Sequence, residues 1–286
     1  MTTYLVTGAS GHLGRLAVHA LLERGVAASD VVATARDTDA ISDLAALGVE
    51  TRTADYTDPA SLEQALKGVD RVLLVSSSAV GERVAQHTHV IEAAAKAGVE
   101  LLAYTSITRA DTSTLALADE HRATEEVLAA SGLPVVLLRN SWYLENYTGQ
   151  VATALEHGAV LGAAGEGRVS AASRADYAAA AAAALVADDQ AGRVHELGGD
   201  VAFTLEEYAA ALAAESGTEV VYRDLPAADY TAVLVGAGLP EPYAAILADS
   251  DLGLARGELH TDSGDLSRLT GRPTTSLTDA VRAALA

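Results

Sequence analysis

The chain has 286 residues, of which half are hydrophobic and only 4% aromatic, and its formal net charge is −20. This length suits one α/β core with a smaller appended part. The negative charge argues against nucleic acid and anionic membrane surfaces as partners, because their phosphates would be repelled. The absence of cysteine excludes disulfides and cysteine-ligated metals, and we expect a cytoplasmic protein.

Short β-branched runs alternate with stretches of helical apolar spacing in the first half of the chain. The runs predict strands at 4–7, 31–35, 49–54, 71–75, 100–105 and 135–139. Such alternation is typical of βαβ units with right-handed crossovers. The sequence therefore predicts an α/β fold with a doubly wound parallel sheet of the Rossmann type.

The alternation stops after residue 139. Residues 140–167 are predicted to be irregular, and a helix from about Ala175 and a strand at 194–197 are predicted to rejoin the sheet. From Thr204 onward the pattern is mostly helical, with helices near 205–215, 227–237, 241–249 and 276–285. We therefore expect a dinucleotide-binding domain at 1–140, rejoined by 168–198. A smaller substrate or lid domain is predicted at 141–167 and 199–286.

The alanine-rich stretch 177–187 is the most apolar run of the chain. It is shorter than the roughly 18 residues of a membrane span, so it predicts a core helix and not membrane insertion. The N-terminus passes directly into the first strand, and we expect no secretion leader.

A glycine-rich loop stands between the first strand and an amphipathic helix. Gly8 permits a tight turn, Gly11 lets the backbone approach a pyrophosphate, and Gly14 lets the helix pack closely on the strand. The helix N-terminus stabilises phosphate charge. The residues predicted to bind a dinucleotide here are Gly8, Ala9, Ser10, Gly11, His12, Leu13 and Gly14.

Arg36 ends the second strand, where an enzyme that uses NAD would carry a carboxylate for the ribose 2′-hydroxyl. A guanidinium there can pair with a 2′-phosphate, which favours NADPH. The alternative is an exposed arginine at a helix start, beside Asp37. Further cofactor contacts are predicted from positions at the ends of the third and fourth strands, with a simple serine turn as the alternative for the second group: Asp55 and Tyr56, then Ser76, Ser77 and Ser78.

A Tyr-x-x-x-Lys pair, with which short-chain dehydrogenases move a proton, is missing. The only lysines are Lys67 and Lys96, and glutamate stands four positions before each. In the expected place, His121 replaces the tyrosine and Glu125 the lysine. This argues against alcohol oxidation and sugar-nucleotide epimerisation. A quinone could still be reduced without such a pair, because hydride transfer produces a hydroquinone anion that is weakly basic and needs little help with protonation. His121 could supply a donor or a proton, although a helix-start histidine is more often a surface residue.

The chain resembles the NADPH-dependent quinone oxidoreductase type 2 group, which comprises atypical short-chain dehydrogenases close to the NmrA-like regulators. The resemblance runs along essentially the full length, and its most specific stretches are LADEH at 117–121 and NSWYLENY at 140–147. It implies a two-domain fold that binds NADPH through the glycine loop and Arg36, with a quinone pocket between the domains.

The resemblance also extends the predicted site. Trp142 could stack on a planar ring or pack in the core, and Arg174 could contact an anionic part of the cofactor or pair with Asp176 or a neighbouring acid. The residues assigned to catalysis are His121, Asn140 and Tyr143. The additional residues assigned to the cofactor are Thr105, Asn140, Ser141, Trp142, Tyr143, Leu144, Glu145 and Arg174.

The predicted activity is hydride transfer from NADPH to a quinone. A non-catalytic NmrA-like sensor of NADP(H) is the alternative from another functional class, and an enone or azo compound is an alternative acceptor. The sequence leaves the physiological acceptor open, and it leaves homo-oligomer formation open as well.

Overall fold

The computed structural model describes residues 1–286. The strands are β1 (Tyr4–Val6), β2 (Val31–Ala35), β3 (Glu50–Thr53), β4 (Arg71–Leu74), β5 (Leu101–Ile107), β6 (Val135–Asn140), β7 (Ala159–Gly162), β8 (Val194–Leu197) and β9 (Val221–Asp224). The α-helices are α1 (His12–Glu23), α2 (Ser42–Ala46), α3 (Pro59–Ala65), α4 (Arg83–Ala97), α5 (Ala116–Ala130), α6 (Glu145–Thr148), α7 (Val151–His157), α8 (Arg174–Val186), α9 (Leu205–Ser216), α10 (Ala227–Gly236), α11 (Glu241–Ala255), α12 (Asp265–Thr270) and α13 (Leu277–Leu285).

Seven strands form one sheet in the order β3-β2-β1-β4-β5-β6-β8, and every pairing is parallel. The prediction of a doubly wound parallel sheet is thus confirmed. The chain runs outward from β1 in one direction and, after β3, from β4 in the other. Between β1 and β4 the strand order reverses, and ligands of such sheets bind in the crevice that opens there at the carboxyl ends.

Both faces of the sheet are buried under helices. One apolar cluster joins α1 and α8 to one face, and another joins α3, α4 and α5 to the opposite face. The alanines of α8 let it pack closely on α1, as the sequence predicted for a core helix. α8 and β8 return the chain to the large sheet, where β8 pairs with β6.

A second, two-stranded sheet was missed by the sequence analysis. Residues 140–167 were predicted to be irregular but contain α6, α7 and β7, and the region after Thr204 contains β9 among its helices. β7 and β9 pair in parallel, with Ala159 opposite Val221. Each strand has four residues and finds its partner far along the chain, so local pattern carries little signal for the pair.

None of the helices combines the length and the apolar character needed to cross a bilayer. No group of three or more His, Cys, Asp or Glu side chains is arranged to hold a metal ion.

Candidate active site

A cleft of about 940 Å³ opens at the carboxyl ends of the central strands. Most of the predicted site residues line it, although they are scattered from the start of the chain to α8. They are Gly8, Ser10, Gly11, His12, Leu13, Gly14, Arg36, Asp55, Tyr56, Ser76, Ser77, Ser78, Thr105, His121, Asn140, Ser141, Trp142, Tyr143 and Arg174. Ala9, Leu144 and Glu145 do not line it.

The glycine loop forms one end of the cleft. Gly8 has a φ of +61°, which side chains other than glycine rarely adopt. A Cβ on Gly14 would lie 2.4 Å from the Gly8 carbonyl oxygen, so only glycine lets α1 start this close to the loop. Gly11 caps α1 without a side-chain hydrogen bond. Free N–H groups at such a helix start favour a bound phosphate.

Arg36 is exposed and lines the cleft, and it makes no hydrogen bond or ion pair within the protein. The neighbouring Asp55 does not form an ion pair with it, and Asp55 Oδ1 accepts instead from the Thr57 N–H at 2.8 Å. The Thr57 hydrogen bonds, and then the charge of Arg36, hold the pKa of Asp55 below its ordinary value. Arg36 therefore presents an unpaired guanidinium to the cleft.

Tyr56 lies beneath the glycine loop. Its hydroxyl donates to the Val75 carbonyl at 2.9 Å and lies 2.5 Å from Thr7 Oγ1, which also accepts the Val75 N–H. Burial raises the pKa of Tyr56, so the phenol stays protonated. The hydroxyl fixes the ends of β1 and β4 under Gly8.

The serine segment after β4 is held from below by two residues of α4 that the sequence analysis did not select. The Ser77 N–H donates to His87 Nε2 at 3.0 Å, and Arg83 Nε donates to the Ser77 carbonyl at 2.7 Å. Burial, with the charge of Arg83, lowers the pKa of His87 to about 3, so the ring is neutral. Arg83 and His87 stand four apart on one helix face, a spacing that is visible in the sequence.

His121 is buried in the wall of the cleft, so the surface-residue alternative was wrong. Its Nδ1 lies 2.8 Å from the Tyr104 hydroxyl, which is the one hydrogen bond that the ring makes within the protein, and Nε2 makes none. Burial lowers the pKa of His121 well below its ordinary value, and the charge of Arg83 and the proximity of His87 lower it further. His121 is therefore a neutral imidazole at physiological pH.

Glu125, in the place of the missing lysine, faces away from the cleft. Its Oε2 lies 2.6 Å from Arg139 Nη2, and its Oε1 accepts from the Ser106 hydroxyl at 2.6 Å. Arg139 also pairs with Glu196 and Asp111. The position that carries a proton-moving lysine in ordinary short-chain dehydrogenases thus holds a carboxylate in a buried ion-pair network.

The segment after β6 supplies the next part of the wall. Asn140 Oδ1 is buried without a hydrogen-bond partner. The Arg174 guanidinium lies 4.6 Å from the centre of the Tyr143 ring. Glu145 accepts the Arg174 N–H at 2.9 Å and lies 3.6 Å from the guanidinium. Arg174 therefore pairs with Glu145 and not with Asp176, which pairs with Arg272.

The end of the cleft beyond Trp142 is apolar. It is formed by β5, α5, the segment before α11 and α11 itself, through Ile107, Leu117, Leu239, Tyr243, Ile246 and Leu247. The sequence analysis assigned none of these residues to the site, because apolar residues of this kind are equally typical of a buried core. These apolar side chains share the cleft with the polar residues of β6 and α5.

The start of α5, which carries His121, is held by Glu258. The Glu258 carboxylate accepts from the Ser113 hydroxyl at 2.7 Å and from the Thr114 N–H at 2.8 Å. Although burial opposes ionisation, hydrogen bonds from Arg256, Thr114 and Ser113 lower the pKa of Glu258 to about 2. The carboxylate therefore stabilises the fold above the ordinary pKa of glutamate, and this contribution is lost as pH falls through about 2.

We expect Glu258→Gln to lower the free energy of unfolding at pH 7 by about 2 kcal/mol, because a hydrogen bond to a charged group is worth about 1.5–3 kcal/mol and water screens part of the carboxylate. The loss should shrink as pH falls below about 4.5, where unfolded glutamate takes up a proton. Urea denaturation at pH 7 and pH 3.5 measures it. Glu126→Gln is the control, because Glu126 lies on the exposed face of α5, and it should change stability little. An equal loss for Glu258→Gln at both pH values would indicate a packing effect.

Comparison with known proteins gives a consistent result. The family model described as NAD(P)H-binding matches residues 8–188. Quinone oxidoreductase 2 of Escherichia coli strain K12 is 50% identical over 276 residues, which cover 96% of each chain.

Two solved structures match over almost the whole chain. The structure of the NADPH-dependent quinone oxidoreductase QOR2 of Escherichia coli in complex with NADPH has a TM-score of 0.97 and 48% identity, covering 99% of this chain and 100% of that one. The triphenylmethane reductase of Citrobacter sp. in complex with NADP(H) has a TM-score of 0.94 and 35% identity, with coverage of 99% and 100%. The chain therefore belongs to the NAD(P)H-binding family and, within it, to the group of quinone oxidoreductase 2.

Proposed function

We propose that this protein transfers a hydride from NADPH to a quinone. The observation that carries the proposal is a single cleft lined by a dinucleotide loop, by apolar side chains and by His121 and Asn140. The activity named for the Escherichia coli relative, of which this chain covers 96%, supports the same reaction.

The residues present fit NADPH. The glycine loop and the start of α1 would hold the pyrophosphate, and the unpaired guanidinium of Arg36 would hold the 2′-phosphate. The buried Oδ1 of Asn140 lacks a partner in the protein. A buried acceptor without a partner is costly, and an amide donor such as the nicotinamide carboxamide would satisfy it.

The cofactor supplies a hydride, which converts the quinone into a hydroquinone anion that takes its remaining proton from water. The protein then has two tasks. Ile107, Leu117 and Tyr243 line the cleft and would exclude water and hold the acceptor beside the cofactor, so that the reaction is favoured by proximity. His121, which is neutral, stabilises the developing oxyanion as a hydrogen-bond donor.

The sequence left open whether His121 supplies a hydrogen bond or a proton, and its buried position decides between the two. An imidazole whose pKa lies well below its ordinary value is not protonated at neutral pH, so it has no extra proton to give. We infer that His121 donates a hydrogen bond and that Tyr143, held between Arg174 and Tyr177, shapes the wall. Cytoplasmic location and homo-oligomer formation stay predictions.

The test is anaerobic oxidation of NADPH by the purified protein, followed at the absorbance band of reduced nicotinamide, with 1,4-benzoquinone and with a naphthoquinone. We expect quinone-dependent turnover well above the rate without protein, and a lower kcat/KM with NADH. The same assay with an azo dye and an enone compares the other acceptors.

Tight NADPH binding without turnover of any acceptor would contradict the enzyme proposal and favour the NADP(H) sensor. Binding is measurable independently of turnover, because Trp142 is the only tryptophan and lies in the cleft wall. Its fluorescence should fall when reduced nicotinamide binds beside it.

A further inference from the structure

A hydrogen bond behind the cleft joins Tyr104 of β5 to His121 of α5. The Tyr104 side chain is fully buried, and its hydroxyl lies 2.8 Å from His121 Nδ1. The other polar neighbours of this hydroxyl are the hydroxyls of Thr124 and Ser76. Burial raises the pKa of Tyr104, so the phenol keeps its proton.

The neighbouring groups decide which way this hydrogen bond runs. His87 Nε2 accepts the Ser77 N–H, so His87 carries its own proton on Nδ1 and donates it to Thr124 Oγ1 at 3.0 Å. The Thr124 hydroxyl in turn donates to the Glu120 carbonyl at 2.8 Å. With the Thr124 hydroxyl engaged in these two bonds, His121 Nδ1 is the best-placed acceptor for the proton of the Tyr104 hydroxyl.

The opposite arrangement is disfavoured. If His121 carried its proton on Nδ1, the Tyr104 O–H would have to turn to the Thr124 or Ser76 hydroxyl, with which it forms no hydrogen bond of normal geometry. A poorly satisfied buried donor disfavours a state by up to roughly 150-fold. A neutral imidazole has one N–H, so the proton of His121 lies on Nε2, the nitrogen that makes no hydrogen bond within the protein.

We propose that Tyr104 is a positioning residue that holds His121 as the Nε2–H tautomer and directs a neutral N–H donor into the cleft. This proposal rests on the proposed function, since the donor serves the oxyanion of the hydride acceptor.

The charges around His121 agree with a neutral donor. Arg83 and His87 face it from α4, Tyr104 faces it from β5, and Glu120 and Glu125 lie on its own helix. Glu120 lies 3.3 Å from Arg83 Nη1, and Glu125 is engaged with Arg139, so no free carboxylate is available to stabilise an imidazolium. We therefore expect no ionisation of His121 in the kcat profile between about pH 6 and pH 8.

The first measurement needs no turnover. Long-range ¹H–¹⁵N correlation spectra of the labelled, NADPH-bound protein report the tautomer and the hydrogen bonding of each imidazole, and His121→Gln assigns the His121 signals. We expect the Nε2–H pattern in the wild type, unchanged between about pH 6 and pH 8. In Tyr104→Phe, the Nδ1 resonance should move to the position of an acceptor without a hydrogen bond. Tyr208→Phe is the matched control, because it removes the hydroxyl of another buried tyrosine, which donates to the Tyr147 carbonyl outside the cleft.

The second measurement is turnover. We expect Tyr104→Phe to lower kcat about 10-fold with little change in KM for NADPH. The substitution removes the hydrogen bond that positions His121, but it removes no contact with the cofactor. His121→Leu should lower kcat about 100-fold, as loss of one oxyanion donor does. His121→Gln keeps an N–H donor near the same place and should retain more activity than His121→Leu.

An Nδ1–H or titrating His121 in the wild-type spectrum would overturn the proposal, and so would unchanged kcat in Tyr104→Phe with the hydrogen bond lost. If the spectra are as expected but the wild type does not turn over quinone, the proposed function is refuted, and the positioning of His121 by Tyr104 is supported.

Discussion

We expect Arg36→Ala to lower kcat/KM for NADPH about 100-fold and to leave kcat/KM for NADH nearly unchanged. The reason is that Arg36 lines the cleft with an exposed guanidinium that forms no ion pair in the protein. A charge-assisted hydrogen bond contributes about 1.5–3 kcal/mol, and a guanidinium can form two to one phosphate. NADH has no 2′-phosphate, so it does not use this contact.

Two further variants make this test specific. Arg36→Lys keeps the charge but loses the planar fork, and we expect an intermediate loss for NADPH. Arg223→Ala removes the same charge from an exposed residue of β9 that makes no ion pair, and it should behave as the wild type. Steady-state rates with both cofactors and Trp142 fluorescence titrations measure the outcome. Equal losses for NADPH and NADH would show that Arg36 supports the loop and does not select the 2′-phosphate.

The second large effect is expected at Gly14. In Gly14→Ala the new Cβ would lie 2.4 Å from the Gly8 carbonyl oxygen, 2.8 Å from the Gly8 carbonyl carbon and 3.0 Å from the Thr7 carbonyl oxygen. These are all backbone atoms, so the loop and α1 must move apart. We expect the free energy of unfolding to fall by about 1–3 kcal/mol, which is the usual cost of overpacking. NADPH affinity should fall at least 10-fold, since the loop would no longer present its N–H groups in one direction.

Gly236→Ala is the control for this change. Gly236 ends α10, and a Cβ added there would have no atom within 4 Å, so its backbone is open to any residue. Alanine there should leave stability equal or slightly higher, because it restricts the unfolded chain. Urea denaturation and fluorescence titration compare the variants. Wild-type affinity in Gly14→Ala would mean that the loop relaxes without losing its phosphate site.

The cofactor end of the site was accessible from the sequence because its requirements are local. The glycine loop lies within one strand-loop-helix unit, and Arg36 follows the next strand, so spacing alone places both at one edge of the sheet. The family resemblance, now confirmed, added the residues of 140–147. The catalytic roles of His121, Asn140 and Tyr143 stay predictions, although all three lie in the cleft wall.

The sequence by itself determined the parallel sheet, the dinucleotide loop and the absence of a Tyr-x-x-x-Lys pair, because each depends on residue type and short-range order. The tertiary structure alone decided the pairing of β7 with β9, the apolar wall from α11 and the burial of His121. It also decided that Glu125 meets Arg139 and that Tyr104 meets His121. These contacts join separate elements, and protonation depends on burial and on neighbouring charges that no single stretch of sequence contains.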